Sequence, residues 1–233
     1  MSNQVVAFSG GKDSTALVLR LAELGEDFTC LFTPTGDELP DLLPHLLGIV
    51  ERINRPIVFP PNRTLFEWIA FHHALPNFRM RWCTRQIKIE PCIAWLRAHP
   101  GTTLLVGLRA DEESRVGLYG DYATYRYPMR EWGWKLADVW AYLDAAGVII
   151  PERTDCALCY GQRLGEWFKL WQNHPDRYQC GVELEAQYGH TFRSAQRDSW
   201  PAGLADLRKE FEAGRRPRGW DNSGPKACRV CTL

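Results

Sequence analysis

The amino-acid sequence predicts a doubly wound α/β fold with a parallel sheet, followed by a helical C-terminal appendage that contains cysteines. Two observations support this prediction. Up to about Pro128, short apolar runs alternate with stretches of helical periodicity, and such alternation implies parallel strands joined by crossover helices. Beyond that point, apolar and aromatic residues recur at helical spacing, and C-x-x-C pairs appear. We therefore expect a sheet domain over residues 1–150 and a helical region over residues 151–233.

Local patterns predict the individual elements. Gln4 to Phe8 is an apolar run that ends in Ser-Gly-Gly, which is typical of a buried strand entering a tight turn. Ser14 to Leu24 has helical periodicity and stops at Gly25, a residue type that commonly ends helices. The same criteria predict strands at residues 28–33, 57–59 and 102–107, helices at 41–53, 64–73, 88–98 and 135–146, helical structure within 161–188, and an irregular stretch at 214–233.

Composition limits the function classes. The formal net charge is zero and charged residues are 24% of the 233, so a purely electrostatic binder is disfavoured. No apolar run reaches membrane-spanning length, and the N-terminus has no charged segment ahead of an apolar stretch. We therefore expect a cytoplasmic protein without a membrane partner. In a reducing compartment, the two C-x-x-C pairs among the eight cysteines indicate metal binding or redox chemistry rather than disulfides.

The segment Ser9-Gly10-Gly11-Lys12-Asp13-Ser14 predicts a phosphate-binding loop, because it lies between a strand and a helix. Two glycines allow a sharp turn and close approach of the backbone to an anion, and the helix that follows offers N–H groups and a positive dipole end. Lys12 adds a charge, and the Ser9 and Ser14 hydroxyls can donate hydrogen bonds to phosphate oxygens. We expect Asp13 to cap the helix or to help hold a metal ion. The Walker A pattern is not met, because Asp13 follows the lysine. An ordinary Gly-Gly turn is the simpler alternative.

This loop resembles the S-G-G-x-D-S signature of the pyrophosphate-loop (PP-loop) superfamily, which includes ATP pyrophosphatases, tRNA-thiolating enzymes and sulfonucleotide reductases. The resemblance implies an adenine nucleotide whose phosphates lie on residues 9 to 14. Residues 1–150 would then form the nucleotide-binding domain.

Four further segments are similar to the phosphoadenylyl-sulfate (PAPS) reductase branch of this superfamily. They are Pro34-Thr35-Gly36 through Pro40, Arg81 through Pro91, Gly107 through Arg115, and Tyr127-Pro128-Met129 with Trp132, Asp138, Val139 and Trp140. The resemblance implies that Thr35, Gly36, Arg85, Lys88, Gly107 and Arg109 join the loop in binding ATP or PAPS/adenylyl sulfate, with Mg²⁺ expected beside ATP. Candidates for catalytic roles are Lys12, Asp13, Arg109 and Arg115.

The residue types in these segments suit that chemistry. Arg85, Lys88, Arg109 and Arg115 are cations in loops at or near predicted strand ends, and ligands of open α/β sheets bind outside those ends. Guanidinium groups match sulfate and phosphate oxygens. The alternative is that individual cations form surface pairs with nearby glutamates.

The cysteines allow three interpretations. Cys83 and the Cys156/Cys159 pair stand where iron–sulfur members of the branch carry cluster ligands. The resemblance thus implies a 4Fe–4S cluster on these three and one of Cys228 and Cys231. A structural Zn²⁺ on Cys156, Cys159, Cys228 and Cys231 is the second interpretation, since four thiolates suffice for either group. The third is that the cysteines are unligated core residues.

Three functional hypotheses follow. In sulfonucleotide reduction, a thiolate attacks the sulfur of PAPS or adenylyl sulfate; this needs a reactive cysteine, and the E-C-G-x-H ending of true reductases is absent here. In ATP α-phosphate chemistry, a nucleic-acid substrate is activated for sulfur insertion, as in DNA phosphorothioation or tRNA thiolation. The third hypothesis is a non-catalytic nucleotide-binding module. Besides the nucleotide, a thiol or sulfur-donor protein and a nucleic acid are candidate partners.

Overall fold

A computed structural model describes residues 3–112, 114–115, 120–195 and 198–219. Within these ranges the sheet has five parallel strands in the order β3-β2-β1-β4-β5. Central β1 is almost wholly buried, and Val5 lies between Thr29 of β2 and Leu104 of β4. The strands are β1 (Gln4–Ala7), β2 (Thr29–Leu31), β3 (Ile57–Val58), β4 (Thr103–Leu105) and β5 (Thr124–Arg126). The predicted doubly wound parallel fold is confirmed.

Helices cover both faces of the sheet and continue past it. They are α1 (Lys12–Glu23), α2 (Leu42–Ile53), α3 (Leu65–His72), α4 (Glu90–Ala98), α5 (Pro128–Glu131), α6 (Leu136–Ala145), α7 (Leu164–Asn173), α8 (Pro175–Tyr188) and α9 (Leu204–Glu212). Apolar residues of α1, α2 and α6 pack on one face of the sheet, and those of α4 pack on the other. In the described residues, no helix is long and apolar enough to cross a bilayer.

A second hydrophobic core lies beyond the sheet and joins the C-terminal helices to α3. Trp167, Phe168 and Phe211 from α7 and α9 are fully buried there together with Leu65 and Ile69 of α3. The C-terminal helices are therefore packed against α3, a helix that precedes β4 in the chain. The division at residue 150 stays a prediction.

The structure differs from the sequence-based expectations in three elements. The helix expected from Lys88 begins earlier, as a π-helical segment Thr84–Ile89 that runs into α4. Helical structure within 161–188 is broken at His174, because Pro175 can start a helix but cannot continue one. Short β5 was not predicted, since it has three residues and its burial is low.

Candidate functional site

The loop between β1 and α1 is shaped by two glycines. Gly10 has a φ of +75°, and a Cβ atom there would lie 2.7 Å from Leu42 Cδ1. A Cβ atom at Gly11, which precedes the first helical residue, would approach Thr154 Oγ1 to 3.3 Å. A left-handed, tightly enclosed backbone of this kind favours glycine. The turn leads directly into the N-terminus of α1, where helix N–H groups can bind an anion.

Serine hydroxyls close the loop. The Ser9 N–H donates to Ser14 Oγ at 3.2 Å, and Ser14 Oγ donates to the Gly11 carbonyl oxygen at 3.1 Å. The Ser9 and Ser14 hydroxyl oxygens are themselves 3.2 Å apart. Both predicted hydroxyl donors therefore lie together at the start of α1.

Two cations meet on one carboxylate beside this loop. Lys12 is buried, with Nζ 2.5 Å from Asp13 Oδ2, and an Arg109 guanidinium nitrogen lies 2.9 Å from Asp13 Oδ1. The expectation that Asp13 caps the helix is wrong: Gly11 is the N-cap residue, and no side chain caps α1. Asp13 instead holds Lys12 and Arg109, which come from the ends of two neighbouring strands, at one point.

Arg109 is fixed from several directions. Burial alone would lower the pKa of its guanidinium, but the hydrogen bond and the charge of Asp13 outweigh that effect and raise the pKa. Asp111 and Glu112 add contacts at 2.9 and 3.4 Å. Gly107 brings this loop close to α1, because a Cβ atom there would lie 3.4 Å from backbone atoms of Asp13 and Ser14. The predicted loops at 9–14 and 107–109 therefore form one cationic corner.

A cavity opens at the carboxyl ends of β1 and β2, the usual ligand position in open α/β sheets. We call it the nucleotide cavity. It is lined by Ala7, Phe8, Ser9, Leu31, Phe32, Thr33, Thr35, Glu38, Lys88, Cys92, Thr154, Asp155 and Cys156. Of the predicted nucleotide contacts, Ser9, Thr35 and Lys88 lie on its wall.

The turn after β2 is held by a carboxylate. Glu38 accepts hydrogen bonds from the N–H and Oγ1 of Thr35 at 2.5 and 2.7 Å and from the Gly36 N–H at 2.9 Å. Gly36 has a φ of +76°, and a Cβ atom there would lie 2.6 Å from Thr64 Cγ2. Thr35 faces the cavity, whereas the N–H of Gly36 is used within the turn.

A second, mainly apolar cavity adjoins the first, and we call it the thiol cavity. It contains the predicted metal ligands Cys83, Cys156 and Cys159. The complete lining is Thr35, Leu65, Pro76, Cys83, Thr84, Ile87, Lys88, Cys156, Leu158, Cys159 and Tyr160. Thr35, Lys88 and Cys156 line both cavities. Cys83 and the Cys156/Cys159 pair, which are distant in sequence, are thus gathered directly beside the nucleotide cavity.

The surroundings of these thiols favour the protonated form in the absence of a metal. Burial raises the pKa of Cys156 to about 12, and the positive charge of Lys88 only partly offsets it. Burial likewise raises the pKa of Cys83, again against the charge of Lys88. Metal binding would require deprotonation of both.

Thiol donors suit iron–sulfur clusters and zinc alike. Three thiols on one cavity wall therefore match the donor chemistry of the predicted site. Among the described residues, however, no three Cys, His, Asp or Glu side chains are arranged to hold a metal ion. The other predicted ligands, Cys228 and Cys231, lie outside the described residues.

Asp37 supports the Cys156–Cys159 turn, and sequence reasoning missed it. Its Oδ2 accepts a hydrogen bond from the Leu158 N–H, and its carbonyl oxygen accepts one from the Ala157 N–H, both at 2.7 Å. Asp37 is fully buried. The sequence signal for this role was the position of Asp37 directly after Thr35-Gly36. A carboxylate that is buried in a loop needs a hydrogen-bond partner nearby.

Arg130 supports the other side of the site and was also missed. Its guanidinium donates to the carbonyl oxygens of Glu112 and Arg115 at 2.6 and 2.5 Å. The loop that carries Arg109 is therefore held from behind by α5. An arginine just inside a helix gives no sequence signal for this role.

Of the predicted cations, Lys88 is the one in the described lining of the two cavities. Lys12 and Arg109 form the cationic corner, and the other two pair with glutamates. Arg85 is 78% exposed and pairs with Glu90 at 2.9 Å. Arg115 pairs with Glu112. A cavity of about 400 Å³ lies between the residues that precede α2, residues 152–153 and the length of α7. Its described lining contains none of the predicted nucleotide or metal residues.

A β-α loop with a buried lysine, an arginine from the neighbouring strand and a cavity at the strand ends defines a nucleotide-binding protein of the PP-loop class. A profile of the phosphoadenosine phosphosulfate reductase domain matches residues 3–152. The chain belongs to this family, which is a family of enzymes.

Individual relatives are distant. An uncharacterised protein of Methanocaldococcus jannaschii is 22% identical over 227 residues, which cover 88% of this chain and 54% of that protein. The chain thus spans about half the length of the curated relative it matches. PAPS reductase from Candida auris, solved as a phosphate complex, superposes with a TM-score of 0.52 at 16% identity, over 65% of this chain and 76% of that chain. This likeness shows the shared fold.

The U34-tRNA thiolase NcsA of Methanococcus maripaludis, solved with its 4Fe–4S cluster, is also similar. Its TM-score is 0.48 at 14% identity, over 99% of this chain and 80% of that chain. Similarity at this level is too low to transfer a function.

Proposed function

We propose that this chain is an enzyme that binds an adenine nucleotide, with the phosphate or sulfate end over residues 9–14, and acts at that end in sulfur transfer. One observation supports this proposal above the others. Thr35, Lys88 and Cys156 line both the nucleotide cavity and the thiol cavity. A nucleotide in the first cavity would therefore lie beside the thiols of the second.

The cationic corner supplies the anion-binding part of this function. Lys12 and Arg109 are both buried, and their charges meet on Asp13. Charge-assisted hydrogen bonds from such groups are about twice as strong as neutral ones. Phosphate oxygens over the loop would be bound by Lys12, Arg109 and the first-turn N–H groups of α1, which have no partners within the helix.

Two reactions fit this arrangement. In sulfonucleotide reduction, a cysteine thiolate attacks the sulfur of PAPS or adenylyl sulfate and the nucleotide leaves. In ATP chemistry, an oxygen of a nucleic-acid substrate attacks the α-phosphorus and pyrophosphate leaves with Mg²⁺, before sulfur replaces the activated group. If neither sulfite nor pyrophosphate forms, the third hypothesis, a non-catalytic nucleotide-binding module, is supported.

We also propose that Cys83, Cys156 and Cys159 hold a metal group, with a 4Fe–4S cluster preferred over Zn²⁺ and with Cys228 or Cys231 as the remaining ligand. Such a cluster would supply iron that can bind sulfur or transfer an electron next to the nucleotide. The chain's own contribution is positional. Asp37 holds the turn between Cys156 and Cys159, and Lys88 places a positive charge beside the thiols.

The test measures binding and products separately. Lys12→Ala should weaken ATP or PAPS binding about 10- to 150-fold in calorimetry, the equivalent of about 1.5–3 kcal/mol for a hydrogen bond to a charged group. Lys209→Ala is the matched control, because Lys209 is exposed on α9 and pairs with Asp206. Unchanged nucleotide affinity in Lys12→Ala would refute the proposed site.

Products then distinguish the reactions. Reduced protein is incubated anaerobically with PAPS and a thiol donor, or with ATP, Mg²⁺ and nucleic acid. Sulfite that disappears on mutation of Cys228 and Cys231 would establish reduction. Pyrophosphate that depends on Lys12 and on nucleic acid would establish the ATP reaction.

A further inference from the structure

An exposed surface rich in arginine and aromatic side chains runs beside the thiol cavity. We call it the basic-aromatic strip and define it as Arg63, Phe71, Phe78, Arg79, Met80 and Arg81. Its apolar members are exposed: Phe71 to 62%, Phe78 to 44% and Met80 to 40%. Exposed rings beside arginines are an arrangement that packing of the chain's own core does not require.

The centre of the strip is a tight turn that presents its side chains outward. Asn77 Oδ1 accepts the N–H groups of Arg79 and Met80 at 2.9 and 3.0 Å, and the Asn77 N–H donates to the Met80 carbonyl at 3.2 Å. These bonds close the turn on its inner side. Phe78 and Arg79 are consequently at its exposed tip.

One end of the strip is a stack on α3. The Arg63 guanidinium lies 5.2 Å from the ring centre of Trp68 and 5.5 Å from that of Phe71. The Trp68 and Phe71 rings meet edge to face at 5.5 Å. A flat cation and an exposed ring therefore stand side by side, held by a half-buried tryptophan.

The segment has a strong charge bias in a chain whose net charge is zero. Residues 61–89 contain five basic side chains and one acidic side chain. That acid, Glu67, accepts hydrogen bonds from the N–H and Oγ1 of Thr64 at 2.7 and 2.8 Å and so caps α3. With five basic side chains against this one carboxylate, the segment keeps a net positive charge.

Direct contacts connect the strip to the thiol cavity. The Arg81 Nε donates to the Tyr160 hydroxyl at 2.9 Å, and the rings of Phe78 and Tyr160 meet edge to face at 5.2 Å. Tyr160 lines the thiol cavity together with Cys83. A molecule lying along the strip would therefore end beside the cysteines.

We infer that the strip binds a single-stranded nucleic acid. Its bases would stack on Phe71 and Phe78, and its phosphates would contact Arg63 and Arg79. Alternating aromatic and cationic groups are how proteins bind single strands without reading sequence. An acidic peptide would satisfy the arginines but offers no flat partners for the exposed rings. This inference rests on the proposed function. It identifies single-stranded nucleic acid as the substrate class of the proposed ATP-dependent reaction.

Fluorescence anisotropy with a labelled 20-nucleotide single strand tests the inference, with RNA and DNA versions in separate arms. We expect Phe71→Ala and Phe78→Ala each to weaken binding about 5- to 150-fold, the range of one lost base–aromatic stack. Arg79→Ala should lower the slope of log affinity against log salt concentration by about 0.7, as loss of one phosphate contact on a single strand does. Because these side chains are exposed, circular dichroism should show unchanged folding.

Arg97→Ala is the matched control. Arg97 lies 4.2 Å from the ring centre of exposed Tyr122 near β5, outside the second hydrophobic core, so it reproduces an arginine–aromatic pair away from the strip. Its substitution should leave strand affinity unchanged. Equal losses in Arg97→Ala and the strip variants, or stronger binding of polyglutamate than of either strand, would overturn the inference.

A further variant separates this inference from the proposed function. Lys12→Ala should lose nucleotide affinity and keep single-strand affinity. If wild-type protein binds ATP or PAPS but no single strand, the strip is refuted and the nucleotide site stands. If it binds the strand but no nucleotide, the proposed nucleotide site fails instead.

Discussion

The phosphate loop consists of six consecutive residues, whereas the thiol cavity collects Cys83 and the Cys156/Cys159 pair from two segments that are far apart in the sequence. The loop is polar and is held by bonds within itself and by Arg109. The cavity is largely apolar and depends on Asp37 to hold its second segment. A site formed by consecutive residues can be predicted from the sequence. A site whose residues are far apart in the chain forms only when the fold brings them together. The two regions should therefore respond differently to substitution.

The largest expected effect is loss of the metal group from the thiol cavity. Cys83→Ala, Cys156→Ala and Cys159→Ala should each abolish stoichiometric iron and sulfide, or zinc, in anaerobically purified protein, because removal of one ligand opens the coordination shell. Nucleotide affinity of the folded variants should persist, since the cationic corner is intact.

Cys30→Ala is the control for these variants, because Cys30 is buried in β2 away from the cavity. Iron with sulfide would establish the cluster, and zinc alone would reverse the preference. Wild-type protein that is folded and free of both metals would contradict the metal proposal.

A pH effect on stability is expected in the C-terminal helices. Burial raises the pKa of Glu185 from its ordinary value of 4.5 to about 7, although the N–H groups of Leu204 and Phe192 act against this. Between pH 4.5 and about 7, Glu185 therefore keeps its proton in the folded protein and releases it in the unfolded chain. The stabilisation is complete below pH 4.5 and is lost as pH rises through 7, a change of about 3 kcal/mol at 1.36 kcal/mol per pKa unit.

Glu185→Gln should reduce this slope in the free energy of unfolding measured in urea between pH 4.5 and 7. Part of the slope remains in the variant, because burial also raises the pKa of Asp37, to about 6. The variant also loses one of the two backbone N–H partners of Glu185, so its absolute stability is lower. A slope equal to that of the wild type would assign the effect to another group.

Glycine-to-alanine substitutions compare how much the phosphate loop and the surroundings of the thiol cavity depend on a residue without a side chain. Gly10→Ala in the loop should cost about 2–3 kcal/mol, from a left-handed φ and from contact with Leu42. Gly181→Ala on α8 should cost about 1–2 kcal/mol by overpacking alone, because its Cβ would lie 2.9 Å from Leu158 Cδ2.

Gly25→Ala isolates the contribution of φ. Gly25 has a φ of +74° and nothing within 4 Å of its Cβ position, so its substitution should cost about 1 kcal/mol. Thermal or urea unfolding of the three variants measures the differences. If Gly10→Ala were no more costly than Gly25→Ala, the close packing of the loop on α2 would not contribute.

Much of the fold followed from the sequence because its signals are local. The run Gln4 to Phe8, the glycines after it and the helical periodicity from Ser14 all lie within 21 residues. These features alone predict a strand, a tight turn and a helix, and hence an anion site. Short β5 escaped prediction because three half-buried residues carry little pattern.

The sequence by itself determined the parallel sheet, the phosphate loop and the residue types available to it, because strand, turn and helix preferences act between near neighbours in the chain. Only the tertiary structure decided that Asp13 pairs with Lys12 and Arg109 rather than capping its helix, and that Asp37 supports the cysteine turn. It also decided that the three cysteines adjoin the nucleotide cavity. These contacts join residues up to 121 positions apart, and their geometry depends on how the sheet and the C-terminal helices pack, which no local pattern encodes.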